Sequence, residues 1–135
     1  MMEKKLTDWI TQRIYLQDVF SRKLKEIKEE DKSELRIEYK DKTIKVHIMP
    51  FLKIPKKEIK EPSQIITLNT KENLDSLIQN WKLFSVIDNL KIIFVNPRIK
   101  ENNFWTINPK LHNMITEKKA LKKGLNTLFK SVKKV

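Results

Sequence analysis

A chain of 135 residues, 39% of them hydrophobic, is long enough to bury one core and too apolar to stay disordered. No cysteine, two histidines and a single glycine, Gly124, exclude a disulfide framework, a thiolate or imidazole zinc centre, and every glycine-rich loop that cradles a nucleotide phosphate. Twenty-nine basic residues against seventeen acids leave a formal charge of +12, which suits a polyanionic partner, nucleic acid first, unless the lysines serve only as solubilising groups.

No apolar run approaches the roughly 18 residues needed to span a bilayer. The opening "MMEKKLTDW" lacks the apolar stretch of a signal peptide. The expectation is a soluble, cytoplasmic protein with no membrane partner, built as one domain over residues 1–135.

Leu6, Trp9, Leu16, Phe20 and Ile27 recur at three- and four-residue steps, with Ile10, Ile14 and Leu24 widening the stripe. This spacing predicts one long helix from Leu6 to about Glu30. Arg13 and Lys23 interrupt the strict heptad, favouring a helix packed on a sheet over a coiled coil. Trp9, Leu16 and Phe20 also offer a seam for a homodimer or another protein partner. The polar "KEIKEEDKS" is expected to fray into a turn.

In "ELRIEYKDKTIKVHIMP" two runs of alternating apolar residues flank Asp41-Lys42. A turn there pairs Tyr39 with Ile44, Ile37 with Val46 and Leu35 with Ile48, all on one face of an antiparallel hairpin. The same register sets Glu38 opposite Lys45 and Arg36 opposite His47. "PFLKIPKKEIKEP", with Pro50, Pro55 and Pro62, reads as an exposed loop carrying Lys53, Lys56, Lys57 and Lys60. Loops of that length inside a compact domain are often functional.

"IITLN" predicts a buried strand, with Thr70 or Asn69 capping a helix that presents Leu74, Leu77, Ile78, Trp81 and Phe84. "LKIIFVNP" predicts a strand buried on both faces and stopped by Pro97, to be placed beside Ile65–Leu68. "NNFWTIN" suits a short edge strand. Asn108 and Pro109 open a C-terminal helical segment with a break near Thr116, a second plausible cap. From Lys118 onward, Leu121, Leu125, Leu128 and Val132 fall within about 60° of arc at 100° per residue. Lys118, Lys119, Lys122, Lys123, Lys130, Lys133 and Lys134 occupy the opposite half.

The order is helix, three strands, helix, strand: an α/β (α+β) αβββαβ core with a mixed sheet, flanked by a long N-terminal helix and a basic C-terminal one. From Leu6 to Pro97 this order resembles the restriction-endonuclease-like, or PD-(D/E)xK, superfamily. The resemblance implies an acid near the end of the second strand and an acid-x-lysine on the third, which gather Mg2+ and an attacking water. Here His47 and Asn69 stand where the acids would be, and Lys71 takes the lysine place in "LNTK".

Structural roles compete for the same residues: a solvated Lys71, a surface His47, a capping Asn69, and a core Trp105 in place of a base-stacking one. The leading expectation is a nucleic-acid-binding protein, DNA ahead of RNA, without catalysis or cofactor. Its phosphate contacts would come from Lys53, Lys56, Lys57, Lys60, Lys71 and the seven C-terminal lysines. The alternatives are an active Mg2+-dependent nuclease with acids displaced to Asp41, Glu58, Glu61 or Glu72, and an adaptor that dimerises through the first helix.

Overall fold

Leu6, Ile10 and Ile14, one turn apart, are the buried residues of α1 (Met2–Ser21). The computed structural model describes residues 2–55, 59 and 61–135. α1 stops well short of Glu30. Arg22 takes a left-handed φ of 50°, a common way to end a helix. The Asp18 carboxylate then accepts hydrogen bonds from the Lys23 and Leu24 amides at 2.8 and 3.0 Å.

The polar stretch expected to fray is instead β1 (Leu24–Asp31), antiparallel to β2 (Glu34–Tyr39). Register shifts between Leu24 and Glu26 and between Glu29 and Asp31 bulge this edge strand, and its many charges suit an edge that meets water.

β2 pairs with β3 (Thr43–Ile48) two residues away from the expected register. Ile37 faces Ile44 and Leu35 faces Val46. The Tyr39 amide donates to the Lys42 carbonyl at 2.8 Å, so the reversal falls at Lys40-Asp41, one residue earlier than expected. Asp-Lys lacks the left-handed preference that a two-residue type I′ turn demands, so that dipeptide does not hold the reversal in place. A shift of two keeps every side chain on its own face, and Leu35, Ile37, Val46 and Ile48 are all buried. Across the other face Arg36 now stands opposite Lys45, and His47 opposite Glu34 in place of Arg36.

β4 (Ser63–Leu68) lies parallel to β3, and β5 (Leu90–Val95) lies parallel to β4, pairing Ile65 with Ile92 and Leu68 with Val95 as expected. β6 (Phe104–Ile107) closes the far edge antiparallel to β5. The protein is thus α+β, with a mixed six-stranded sheet in the order β1 to β6. The helix after β4 follows four strands where three were expected, because β1 had been read as helix.

Side-chain alternation divides the core. Leu35, Ile37, Val46, Ile66, Ile93 and Val95 pack against α1. Ile65, Ile92, Phe94, Trp105 and Ile107 face the other helices. These are α2 (Lys71–Gln79), α3 (Trp81–Phe84), α4 (Pro109–Ile115) and α5 (Lys118–Lys130). The Thr70 hydroxyl caps α2 by accepting from the Asn73 amide at 3.2 Å. Asn108 and Pro109 begin α4 as the sequence predicts. The break comes at Thr116, though Glu117 holds the N-cap position of α5. No described helix is long and apolar enough to cross a membrane.

Candidate functional site: the carboxyl end of the sheet and the lysine surface

β3, β4 and β5 are mutually parallel, so their carboxyl ends share one edge, the usual location of ligands in open sheets of this kind. In this protein the C-terminal residues occupy that edge. Asn69, fully buried, donates through Nδ2 to the Val132 and Phe129 carbonyls at 3.0 and 3.4 Å. Its Oδ1 accepts from Trp105 Nε1 at 2.8 Å, and its backbone carbonyl accepts from the Val135 amide at 3.0 Å. Asn96 Nδ2 donates to the Lys133 carbonyl at 2.9 Å. Asn73, also buried, donates to the Pro50 and Leu68 carbonyls and accepts from the Leu52 amide. Three asparagines therefore tie β4, β5, the Pro50 segment and the chain end together.

The three positions aligned with a nuclease triad have separate employments. Asn69 is a buried tie and not the cap of α2. Lys71 is exposed and pairs with Asp75, one turn along α2, at 3.1 Å. His47 Nδ1 lies 3.4 Å from Glu34 Oε1 on β2. Trp105 stacks on Phe94 at 4.2 Å with planes 5° apart, deep in the core and out of reach of a base. Among the described residues no three His, Asp or Glu side chains gather as a ligand set. Asp41 pairs with Lys23 at 3.3 Å; Glu61 and Glu72 join no such group, and Glu58 lies outside the described residues.

Burial holds both imidazoles below their ordinary range, His47 against the upward pull of Glu34. A depressed folded value means that the unfolded chain binds more protons around pH 6. Stability from this source is full above about 6.5 and is lost as pH falls through the folded values. Melting temperature should therefore drop between pH 7.5 and 5.5. A His47→Gln, His112→Gln double variant should lose most of that drop; an unchanged drop would assign it to other groups.

Charge is distributed very unevenly. Residues 24–48, covering β1 to β3, hold seven basic and seven acidic side chains, so they contribute nothing to the net +12. On the face of this meander that the helices leave bare, the charges interlock. Arg36 meets Glu30 and Glu38, Lys45 meets Glu30 and Glu34, and Lys28 meets Glu26 and Glu38, at 3.5–3.9 Å. Residues 118–135 hold seven lysines and no acid, and so carry seven of the twelve excess charges.

All seven C-terminal lysines are exposed, and none has a carboxylate partner among the described residues. The inward face of α5 is Leu125 and Phe129, with Leu121 and Leu128 half-buried and Val132 buried just past the helix end. The sequence pattern missed Phe129. Its spacing of four from Leu125 was the available signal.

The ties at Asn69 and Asn96 set Lys133 and Lys134 over the ends of β4 and β5, beside the first turn of α2 that bears Lys71. Lys53 is exposed next to Leu52, whose carbonyl accepts from Ser76 of α2 at 3.0 Å. Lys56, Lys57 and Lys60 lie outside the described residues. No protein-family model, curated protein or solved structure matches this chain.

Proposed function

We propose that this protein binds nucleic acid through its phosphates, without catalysis, on a core that resembles the restriction-endonuclease-like order with β1 as an added edge strand. The observation that carries this proposal is the run of seven exposed lysines on α5 and the residues after it, none with a carboxylate partner among the described residues. Like charges held on one rigid helix repel each other. A phosphate backbone relieves that repulsion and releases counterions. An interlocked, electrically neutral β1–β3 face supports a single-sided contact and argues against lysines strewn merely for solubility.

Support for silence in catalysis is chemical. The amide of Asn69 is fully engaged with neutral partners, and His47 and Lys71 each sit with an acid of their own. With Mg2+ present, DNA or RNA should be cleaved no faster than by a Lys71→Ala control.

The deciding experiment measures affinity for duplex DNA, single-stranded DNA and RNA as salt is raised. Log K should fall linearly with log salt, by about 0.9 per phosphate contact on duplex and about 0.7 on single strands. Absence of binding at about 50 mM salt, where non-specific attraction is strong, would end the proposal.

One observation favours a protein partner instead. Leu16 and Phe20 of α1 are 72% and 96% exposed, whereas Trp9 turns inward onto Phe104. A seam through Leu16, Val19 and Phe20 would give a dimer in sedimentation, abolished by Phe20→Glu.

A further inference from the structure

Arg13, which breaks the heptad of α1, lies against aromatic rings. Its guanidinium carbon is 4.0 Å from the ring centroid of Phe104 and 5.7 Å from that of Trp9. These two rings are themselves 5.4 Å apart and tilted by 56°. Such stacking fixes the plane of the guanidinium, so that its fork is set before any ligand arrives. Arg13 has no carboxylate partner and no hydrogen-bond acceptor among the described residues. Its N–H groups are not sealed in the interior either, for they border an open cleft of about 570 Å3 between α1 and the segment from Pro97 to Asn103. This volume is in the ordinary range for a small-molecule site.

The lining falls into three chemistries. Lys100 adds a second cation at the opposite wall. Trp9 and Leu16 on α1 and Pro97 on the facing segment supply apolar surface, and Gln12 and Asn103 present amides that both donate and accept. The far wall is prebuilt. The Asn96 amide donates to the Asn103 carbonyl at 2.7 Å, Asn96 Oδ1 accepts from the Arg98 amide at 3.1 Å, and Asn103 Nδ2 donates to the Ile99 carbonyl at 3.2 Å. A ligand suited to all three has an anionic group, a planar body and hydrogen-bonding edges.

We infer that this cleft binds a single nucleotide unit, with its phosphate on Arg13 and Lys100 and its base against Trp9 and Leu16. The inference rests on the nucleic-acid reading above and adds a place where one unpaired nucleotide leaves the stack. A guanidinium fork grips two phosphate oxygens at once. The amides address the base edge, which carries both donors and acceptors. A free nucleotide and a strand end share this chemistry.

Titration with AMP, followed by tryptophan fluorescence, tests the inference. Trp9 is half-buried, while Trp81 and Trp105 are only 7% and 5% exposed, so a quench on binding belongs to Trp9 and should vanish in Trp9→Phe. Adenosine and inorganic phosphate should each bind at least about tenfold more weakly than AMP, since each lacks one half of the contacts. Arg13→Lys keeps the charge and loses the fork, and should weaken AMP by about tenfold; Arg13→Gln should weaken it further.

Thermal melting of the Arg13 variants establishes that they fold. Equal binding of phosphate and AMP, or full AMP affinity in a folded Arg13→Gln protein, would overturn the inference. Displacement of AMP by a single-stranded oligonucleotide assigns the cleft to strands, and failure of displacement assigns it to free nucleotides. The salt dependence of duplex binding, carried by α5, should be the same in Arg13→Gln. Loss of the cleft and loss of the phosphate-binding surface are thus separately visible.

Discussion

Replacing Asn69 with aspartate should destabilise the protein by about 3–5 kcal/mol at pH 7, the cost of an uncompensated buried charge. The wild-type amide gives its two N–H bonds to the Phe129 and Val132 carbonyls and takes one from Trp105. A carboxylate would keep only the Trp105 bond and turn an anion toward two carbonyl oxygens. Protonation relieves this clash, so the folded state raises the new acid's pKa above its unfolded value. The destabilisation is therefore smallest at or below the unfolded carboxyl range, near pH 4, and grows as pH rises through the folded value. Urea melts of wild type and variant at pH 4.5 and 7.5 measure the difference. Asn69→Ala should cost about 1–3 kcal/mol for the groups left unsatisfied, with little dependence on pH. An Asn69→Asp protein as stable as wild type at pH 7.5 would mean that the chain end is not anchored there. The same geometry makes Asn69→Glu with His47→Asp a poor route to metal affinity, because the new acid would expel the chain end before it met a metal.

The pattern of apolar residues located the central sheet well, because β4 and β5 are buried on both faces and their composition leaves no other choice. It failed at β1. Leu24 and Ile27 continue the three- and four-residue spacing of α1 past Phe20, and period alone cannot reveal that Arg22 turns left-handed. The signal in that stretch was Asp18, a side chain that can end a helix by gathering the next amides, and it carried no glycine to announce itself. The hairpin slipped by two residues because alternation fixes the face of a strand but not which rung meets which. At the sheet end, sequence could note that Asn69 replaces an acid. Its tie to carbonyls about sixty residues onward is a tertiary fact with no local trace. Arg13 was legible only as an interruption, since the Phe104 ring beneath it comes from the other end of the chain.

Changing Lys118, Lys119, Lys122 and Lys123 together to glutamine should have the largest effect on binding. If each contacts one phosphate, the salt slope on duplex flattens by about 3.6, and by about 2.8 on single strands. At moderate salt that loss spans orders of magnitude in affinity. The fold should tolerate the change, because all four side chains are exposed while α5 is held by Leu125 and Phe129. Removing four like charges from one helix should even raise the melting temperature slightly in low salt, an effect that added salt erases. Four substitutions at Lys25, Lys28, Lys32 and Arg36 make the informative comparison. They remove the same formal charge from the neutral β1–β3 region, where Lys28 and Arg36 already face Glu26, Glu30 and Glu38. If the slope depends on net charge alone, both sets flatten it equally. If a phosphate backbone lies along α5, only the first set does.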